Sequence, residues 1–446
     1  MIKKFAVLGY PIGHSLSPLL HNELFRMKRL PYTYEAVLIP PENLEKEFPS
    51  LTEKFSGFNC TIPLKEKVIP LLDSVHPHAA QLGSVNTVVC GNEIKGYSTD
   101  AQGFLRSLEM HGLAPDGKKV LIVGGGGVAR VVALTCAEKG CEITLALRTP
   151  SKASALCEEI SRLYGISANL TSLDEIKGNF DLLVQCTPVG MYPNTDACPV
   201  SDEVISRCDA VFDTVYNPIK TLILEKAEAM GKVALSGLEM LVLQGLVSEE
   251  IWLDLTVTEK EFAQLVHLLR EKLKGSKSIA LVGFMACGKS TIGKFLAQEL
   301  GFSFIDTDSV AEALDGRPIP RIFEEEGETV FRKIETEALK SVCEHPCAVI
   351  ATGGGIVETP ENLEILRKNC YVVFLDIPFD VMAERASTND NRPLFRNREK
   401  AYELWQKRCA LYREVADIVY DSHDELVSKS VRHIAENYHT TIKKSR

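Results

Sequence analysis

Residues 283–290 have the sequence GFMACGKS, which fits the pattern G-x-x-x-x-G-K-S. The apolar run 279–282 precedes them and the amphipathic run 291–300 follows, which predicts a strand, a loop and a helix. In such a loop, glycines let backbone N–H groups converge on phosphate oxygens. Lys289 would neutralise those phosphates, and the Ser290 hydroxyl would bind Mg²⁺. The residues predicted to contact the nucleotide are Gly283, Ala286, Cys287, Gly288, Ser290 and Thr291.

Two aspartates follow the next apolar run of this half, residues 302–305. Asp306 and Asp308 stand at the predicted end of a strand, where carboxylates can join the Mg²⁺ shell or bind a hydroxyl-rich acceptor. A cap on the following helix is the plainer alternative. Beyond them, residues 322–335 are predicted to form one charged helix whose glutamates mostly face solvent.

In the first half of the chain, polar side chains gather where short predicted strands end. They are Ser15, Ser17, Asn59, Thr61, Lys65, Asn86 and Asp100. Because α/β proteins bind ligands at the carboxyl ends of parallel strands, these residues are expected to surround one ligand. The plainer alternatives are a turn with a helix cap for the two serines, and a surface ion pair for Lys65 and Asp100. A lysine beside an aspartate can equally transfer a proton.

A second glycine-rich turn follows the apolar run 119–123 and precedes a helical run rich in alanine and valine. Its pattern, G-x-G-x-x-A, is typical of a dinucleotide-binding turn when strand and helix flank it. The next predicted strand ends in basic and hydroxyl residues, which suit the 2′-phosphate of NADP(H), whereas NAD calls for an acidic residue there. The predicted cofactor contacts are Gly124, Gly126, Gly127, Ala129, Arg148, Thr149 and Lys152.

The composition of the chain indicates a globular protein of about three domains. Its 446 residues are 45% hydrophobic, and the net charge of −10 argues against nucleic acid or an acidic membrane surface as the main partner. Small-molecule partners are expected, and no oligomeric state is indicated. Thirteen cysteines without a disulfide framework fit a reducing compartment, and Cys343 and Cys347 lack the second pair of a zinc site. With no signal peptide or membrane span apparent, we expect a cytoplasmic protein.

The motifs S-x-S-P, N-x-T-x-P-x-K, V-N-T and T-D-x-x-G occur in this order within residues 15–103, and together they resemble the substrate domain of shikimate dehydrogenase. The resemblance implies that Lys65, paired with Asp100, is catalytic. It implies substrate contacts from Ser15, Ser17, Asn59, Thr61, Asn86, Asp100, Tyr216 and Gln244, and a position near the nicotinamide for Met191. The family usually has Asn-Arg-Thr where this chain has Leu147, Arg148 and Thr149.

The segment from residue 279 onward resembles shikimate kinase. The motifs are the loop at 283–290, the paired aspartates, three glycines at 353–355, N-R-P-L at 391–394 and R-x-x-x-Y-R at 408–413. The resemblance implies that shikimate is bound by Asp308, Arg332, Gly354 and Arg408. It also places Arg392 on the transferring phosphate and Asp306 near Mg²⁺, while Asp308 would orient the attacking hydroxyl. At Cys287, a thiol of lowered pKa and a plain small-residue substitution both remain open.

The predicted fold class is α/β: a two-lobed dehydrogenase with a Rossmann domain, followed by a P-loop, NMP-kinase-like domain with a parallel sheet. Residues 1–105 would form the substrate lobe, completed by helices at 237–273 that pack back on it; 106–236 would bind NADP, and a linker at 274–278 would lead to a kinase domain at 279–446. The predicted function is reduction of 3-dehydroshikimate with NADPH, then phosphorylation of shikimate with ATP and Mg²⁺. Two alternatives are an NAD-dependent quinate/shikimate dehydrogenase fused to the kinase, and a non-catalytic sensor of pathway intermediates.

Overall fold

The computed structural model describes residues 2–13, 15–344, 347–387, 397–421 and 426–444. The chain divides into two compact units, Met1–Leu273 and Lys274–Arg446. Within the described ranges, no helix combines the length and the apolar character needed to cross a membrane.

The first sheet belongs to the amino-terminal lobe of the first unit. Its elements are β1 (Lys4–Gly9), α1 (Ser17–Met27), β2 (Thr33–Leu38), α2 (Leu44–Lys54), β3 (Gly57–Cys60), β4 (Ser74–Val75), α3 (Pro77–Leu82), β5 (Thr87–Val89), β6 (Lys95–Tyr97) and α4 (Asp100–Glu109). The strand order is β2-β1-β3-β5-β6-β4, and β5 runs antiparallel to both of its neighbours.

This mixed sheet corrects the expectation of parallel strands in the lobe. Since β5 runs in the opposite direction, its first residues lie at the same edge as the last residues of β1, β3 and β6. Asn86, just before β5, therefore reaches the edge where Thr61 and Asp100 also lie. The predicted grouping of polar side chains at one edge is therefore present, but it arises from a mixed sheet and not from parallel strands.

The second sheet is parallel throughout. Its elements are β7 (Lys119–Val123), α5 (Gly127–Glu138), β8 (Glu142–Leu147), α6 (Ser154–Tyr164), β9 (Asn169–Ser172), β10 (Phe180–Gln185), α7 (Asp202–Ser206), β11 (Cys208–Asp213), α8 (Leu222–Ala229) and β12 (Val233–Ser236). The order β12-β11-β10-β7-β8-β9 is that of a doubly wound dinucleotide-binding fold. Along β7, Val120 and Ile122 join one apolar cluster and Leu121 and Val123 another, because alternate side chains face opposite helical layers.

Two helices, α9 (Gly237–Leu253) and α10 (Glu259–Leu273), complete the first unit. Their apolar residues form a common core with Leu20 and Leu24 of α1, so both helices pack on the amino-terminal lobe. At the start of α10, the Glu261 carboxylate accepts from Thr258 N at 2.8 Å and the Thr258 hydroxyl accepts from Glu261 N at 3.3 Å. This reciprocal capping box begins the helix.

The second unit contains a further parallel sheet. Its described elements are β13 (Ser278–Val282), α11 (Lys289–Leu300), β14 (Ser303–Asp306), α12 (Thr307–Asp315), α13 (Ile319–Glu326), α14 (Glu328–Glu344), β15 (Ala348–Ala351), α15 (Pro360–Asn369), β16 (Cys370–Leu375), α16 (Phe379–Ser387), α17 (Arg398–Val415), β17 (Ile418–Tyr420) and α18 (Val427–Lys444). The order is β14-β15-β13-β16-β17, so the glycine-rich loop follows the central strand. Strands β15 and β16 flank β13, and all five residues of β13 are buried.

The prediction of one charged helix over residues 322–335 is wrong. Gly327 adopts a φ of 80°, which ends α13, and α14 starts at the next residue. Glycine reaches this left-handed region without the strain that a Cβ causes, so it ends helices readily. The break allows α14 to take its own direction, and α14 carries Arg332.

Candidate functional site

A cavity of about 190 Å³ lies in the first unit. It is lined by nine of the residues selected from the sequence: Ser15, Ser17, Asn59, Thr61, Lys65, Asn86, Asp100, Tyr216 and Gln244. They come from loops and strand ends of the first sheet, from the loop after β11 and from α9. The structure thus brings together side chains that are up to 229 positions apart in sequence, counted from Ser15 to Gln244.

Lys65 and Asp100 form an ion pair at the wall of this cavity. The Lys65 Nζ lies 2.5 Å from Asp100 Oδ2, and the two side chains are 23% and 13% exposed. Asp100 is the first residue of α4, where the helix dipole favours a negative charge. The pair is partly buried and faces the cavity, unlike the surface ion pair that was the plainer alternative.

Two buried amides order the polar wall. Asn59 Nδ2 donates to Asn86 O at 2.9 Å and to Ser248 Oγ at 3.1 Å, while Asn59 Oδ1 accepts from Tyr34 OH at 2.6 Å. Asn86 Nδ2 donates to Asp100 Oδ1 at 3.0 Å. Because the oxygen and the nitrogen of each amide are both hydrogen-bonded, the network determines which way each side chain points.

Gln244 joins the same wall from α9. Its Oε1 accepts from Asn86 Nδ2 at 3.2 Å, while its Nε2 donates to the backbone O of Leu241 at 2.9 Å. The local hydrogen bond that was the plainer explanation is therefore present, and Gln244 lines the cavity as well.

The serine loop and Tyr216 close the remaining sides. Ser15 Oγ accepts from Ser17 N at 3.3 Å, which forms the turn that leads into α1, yet both serines line the cavity. Ser17 is the first helical residue and Pro18 the second, and no side chain caps this helix. Burial raises the pKa of Tyr216, so its phenol stays protonated near neutral pH.

Sequence reasoning missed the supporting side chains of this site. Ser248 bonds to Asn59, and the adjacent Glu249 pairs in the interior with His21 of α1, whose ring stacks on Tyr34 at 4.1 Å. The available signal was three polar residues within six positions, Gln244, Ser248 and Glu249, on a helix that is otherwise mostly apolar.

The dinucleotide turn has the geometry that its pattern predicts. Gly124 has a φ of 123°, and Gly126 and Gly127 at the start of α5 have no atom within 4 Å of where a Cβ would be. That space admits close approach of a pyrophosphate to the helix N-terminus. Ala129 is fully buried in the core, so it supports helix packing and does not face a ligand.

The residues predicted to select NADP lie beside this turn. Arg148, Thr149 and Lys152 are exposed directly after β8, and β8 pairs with β7. Leu147, in the position where the related family usually has Asn, is 8% exposed and packs in the core. Met191 is 45% exposed on the loop that follows β10.

In the second unit, the loop at 283–290 bends back on itself. Gly283 and Gly288 have φ values of 148° and 99°. Lys289 Nζ donates to the backbone O of Gly283 at 2.7 Å and of Phe284 at 3.0 Å. The Cys287 side chain lies 3.7 Å from the same ammonium and is 1% exposed. The Cys287 thiol is therefore shielded from solvent.

Oxygen ligands for a cation gather at the start of α11. Ser290 Oγ donates to Asp306 Oδ2 at 3.0 Å, and Asp306 Oδ1 accepts from Asp308 N at 3.1 Å as the cap of α12. The helix therefore begins at Thr307. A hydroxyl and a carboxylate are oxygen donors of the kind that Mg²⁺ prefers. Among the described residues there is no group of three or more His, Cys, Asp or Glu that would hold a metal ion unaided.

Asp308 faces the glycine turn after β15. A Cβ on Gly353 would lie 2.6 Å from Asp308 Oδ1 and 2.9 Å from Glu335 Oε1, so a larger residue there would displace these carboxylates. Burial and the neighbouring charge of Asp306 raise the pKa of Asp308. The carboxyl is thereby made more basic than an exposed aspartate.

Arg332 and Arg408 reach the same turn from α14 and α17. Arg332 Nη1 donates to Glu335 Oε2 at 2.8 Å, and Arg408 Nη2 donates to Glu358 Oε2 at 2.5 Å. Glu335 is 2% exposed, so it departs from the prediction that the glutamates of this segment mostly face solvent. Burial raises the pKa of Glu335 despite the nearby guanidinium.

The set assembled in the second unit thus contains Asp308, Arg332, Gly354 and Arg408. A Cβ on Gly354 would lie 3.8 Å from Arg408 Nη1, and the buried Tyr412 donates its hydroxyl to Gly354 O. Glu358 was missed by sequence reasoning, since no spacing rule links it to Arg332 or Arg408. Arg392 lies outside the described residues.

Family models match both units. The shikimate dehydrogenase substrate-binding domain matches residues 7–88, shikimate/quinate 5-dehydrogenase matches 109–192, and shikimate kinase matches 285–439. The kinase match includes most of the glycine-rich loop together with both arginines.

Curated relatives and solved structures match the first unit along most of their own length. Shikimate dehydrogenase (NADP(+)) of Methanothermobacter thermautotrophicus is 40% identical over 253 residues, covering 55% of this chain and 89% of the relative. The enzyme of Methanopyrus kandleri is 42% identical, with 55% and 88% covered. A Thermus thermophilus shikimate 5-dehydrogenase solved with NADP(H) and shikimate has a TM-score of 0.55 and 35% identity, with 59% and 98% covered. The chain belongs to the shikimate dehydrogenase family and carries a shikimate kinase domain after it.

Proposed function

We propose that the first unit reduces 3-dehydroshikimate to shikimate with NADPH. The observation that carries this proposal is the cavity that joins the Lys65–Asp100 ion pair to a wall of amides and hydroxyls. Such a wall suits a substrate with several hydroxyl groups, because each side chain offers directional donors and acceptors. NADPH, when bound, supplies the hydride.

The residues of the chain have separate tasks in this reaction. Lys65 delivers a proton to the ketone oxygen as that oxygen gains negative charge, and Asp100 keeps the ammonium aimed into the cavity. Asn59, Asn86 and Gln244 hold the ring hydroxyls, and their mutual hydrogen bonds mean that little reordering is needed on binding.

We propose that the second unit phosphorylates shikimate at its 3-hydroxyl with ATP. Asp308 accepts the hydroxyl proton or orients the hydroxyl, and its raised pKa suits that task. Arg332 and Arg408 bind the substrate carboxylate through charged hydrogen bonds. Lys289 neutralises the phosphates after it leaves the carbonyls of its own loop.

Mg²⁺ is part of the same proposal. Ser290 and Asp306 would hold it, and the ion would neutralise phosphate charge when bound. Chelation with EDTA should stop ADP formation and leave NADPH oxidation by the same sample unchanged. Loss of both activities would indicate a general effect on the protein and not a metal site in the second unit.

One reaction mixture tests both activities. Purified full-length protein is given 3-dehydroshikimate, NADPH and MgATP, and shikimate 3-phosphate is sought by mass spectrometry. Without ATP, shikimate should accumulate; without NADPH, neither product should form. A protein that neither oxidises NADPH nor consumes ATP would contradict the proposal and favour the non-catalytic sensor.

A further inference from the structure

Glu358 lies between the two arginines of the second unit. Its Oε2 accepts from Arg332 Nη2 at 3.1 Å and from Arg408 Nη2 at 2.5 Å, and its Oε1 accepts from Lys407 Nζ at 3.3 Å. The glutamate stands in the turn Ile356–Glu358, directly after the three glycines, so the backbone holds it at the edge of the proposed shikimate site.

Glu358 is charged in this environment. Burial alone would raise its pKa, but Arg408, Lys407 and Arg332 outweigh burial and lower it. Its side chain is 18% exposed, and those of Arg332 and Arg408 are 17% and 7% exposed. The three charges therefore interact where solvent screens them less than at the surface.

Within the described ranges, the arrangement leaves one arginine donor without a partner. Arg408 Nε is buried and has no hydrogen-bond partner among the described residues. Both guanidiniums lie against the glycine turn, since a Cβ on Gly355 would overlap Arg332 and one on Gly354 would lie 3.8 Å from Arg408 Nη1. A ligand carboxylate that reaches these guanidiniums meets two arginines already bridged by a protein carboxylate.

We propose that Glu358 is a positioning and affinity-setting residue: it bridges Arg332 and Arg408 while the site is empty and competes electrostatically with the substrate carboxylate. The inference rests on the proposed kinase function. Because Glu358 opposes the incoming charge, removing its charge strengthens binding of the anionic substrate. Its ion pairs are with Arg332, Lys407 and Arg408 and not with Lys289 of the glycine-rich loop, so the turnover number is expected not to depend on its charge.

The test compares Glu358→Gln with wild type in full-length protein. ADP formation is measured against shikimate concentration without NADP, so that the first unit does not turn over. We expect the KM for shikimate to fall roughly five-fold, as for removal of one partly screened opposing charge, with kcat and the KM for ATP within about two-fold. Glutamine keeps an acceptor for Arg408, and dehydrogenase activity reports on integrity of the sample.

Two further variants separate charge from packing. Glu328→Gln is the matched control, because Glu328 pairs with Arg332 at 2.9 Å but is 63% exposed and is not bonded to Arg408; its KM should stay at the wild-type value. Glu358→Asp keeps the charge and should also resemble wild type. Inhibition by the methyl ester of shikimate, which lacks the carboxylate charge, should not differ between Glu358→Gln and wild type.

The outcomes are distinct. An unchanged or higher KM in Glu358→Gln, with an active wild type, overturns this inference and leaves the kinase proposal standing. An equal gain in binding of the methyl ester would also overturn it, since the effect would then not depend on charge. A wild-type protein without shikimate-dependent ADP formation overturns the kinase function and the inference together.

Discussion

The two proposed sites hold their polar groups in different ways. In the first unit, Asn59, Asn86 and Gln244 are held largely by neutral hydrogen bonds to one another and to hydroxyls around one ion pair. In the second unit, the three predicted cations among the described residues are held by partners of the protein itself: Lys289 by loop carbonyls, and the two arginines by Glu335 and Glu358. The first site is preorganised, whereas the second must exchange internal bonds for ligand bonds.

Two acids, one in each unit, differ in the charges around them. Asp213, at the end of β11, is fully buried and accepts from the neutral donors Thr221 Oγ1 and Val215 N. Burial raises its pKa to about 6. Glu358 is surrounded by three cations, which lower its pKa. Asp213 therefore disfavours the charged state, while Glu358 is kept charged.

The largest expected effect follows from Lys65→Ala. Without the proton donor, dehydrogenase turnover should fall by about 10²–10⁴-fold. NADPH binding, measured by fluorescence titration, should remain near the wild-type value, because the dinucleotide turn is formed by another part of the unit. ADP formation is the internal control. Loss of NADPH binding in this variant would show that Lys65 supports the structure of the site and does not act only in the proton transfer.

A second large effect is expected from Asp308→Asn in the kinase site. The amide cannot accept the hydroxyl proton, so kcat for ADP formation should fall by about 10²-fold or more. Dehydrogenase activity should not change. If kcat is unaffected and only the KM for shikimate rises, Asp308 binds the substrate but does not assist the transfer.

Some residues of the two sites could be predicted from the sequence, and others could not. The glycine-rich loops and their strands follow from periodicity within about 20 residues, and the predicted α/β class is confirmed, although the first sheet is mixed and not parallel. The positions of Lys65 and Asp100 followed from a family resemblance, and the structure brings them together; their roles stay predictions. Glu358 and Ser248 were missed because their partners lie 50 and 189 positions away, where no local pattern exists. Gly327 lies inside the single helix predicted over residues 322–335, but in the structure it ends α13.

The pKa of Asp213 predicts a pH-dependent stability in the first unit. Its folded-state pKa of about 6 exceeds the usual value of 3.8, so the folded state binds the proton more tightly and loses stability as pH rises from about 4 through 6. The free energy of unfolding of Asp213→Asn, taken relative to that of the wild type, should therefore be about 2 kcal/mol higher at pH 7.5 than at pH 4.5. The chain has two tryptophans, so a Trp405→Phe background lets Trp252 fluorescence follow urea unfolding of this unit alone. A pH-independent difference would contradict the assigned pKa.

The preference for NADPH over NADH tests whether Arg148, directly after β8, binds the cofactor through its charge. Arg148→Ala removes a guanidinium available to the 2′-phosphate, so the KM for NADPH should rise about ten-fold or more, while the KM for NADH stays unchanged. Arg162→Ala, on α6 and away from the strand end, is the matched control. Equal effects on both cofactors would instead favour the NAD-dependent quinate/shikimate dehydrogenase.

The smallest effect concerns the backbone of the kinase loop. Ala286 has a φ of 66°, a left-handed conformation that costs a residue with a Cβ about 1 kcal/mol or more. Glycine removes that strain but loses more entropy on folding, so Ala286→Gly should stabilise the second unit by only about 0.5 kcal/mol. Ala313→Gly, at an exposed position in α12, makes the same chemical change in a helix and should destabilise by about 1 kcal/mol. The temperature at which kinase activity is lost should rise for Ala286→Gly and fall for Ala313→Gly. Dehydrogenase activity is the internal reference. Destabilisation by both substitutions would mean that the loop relaxes around Ala286 without strain.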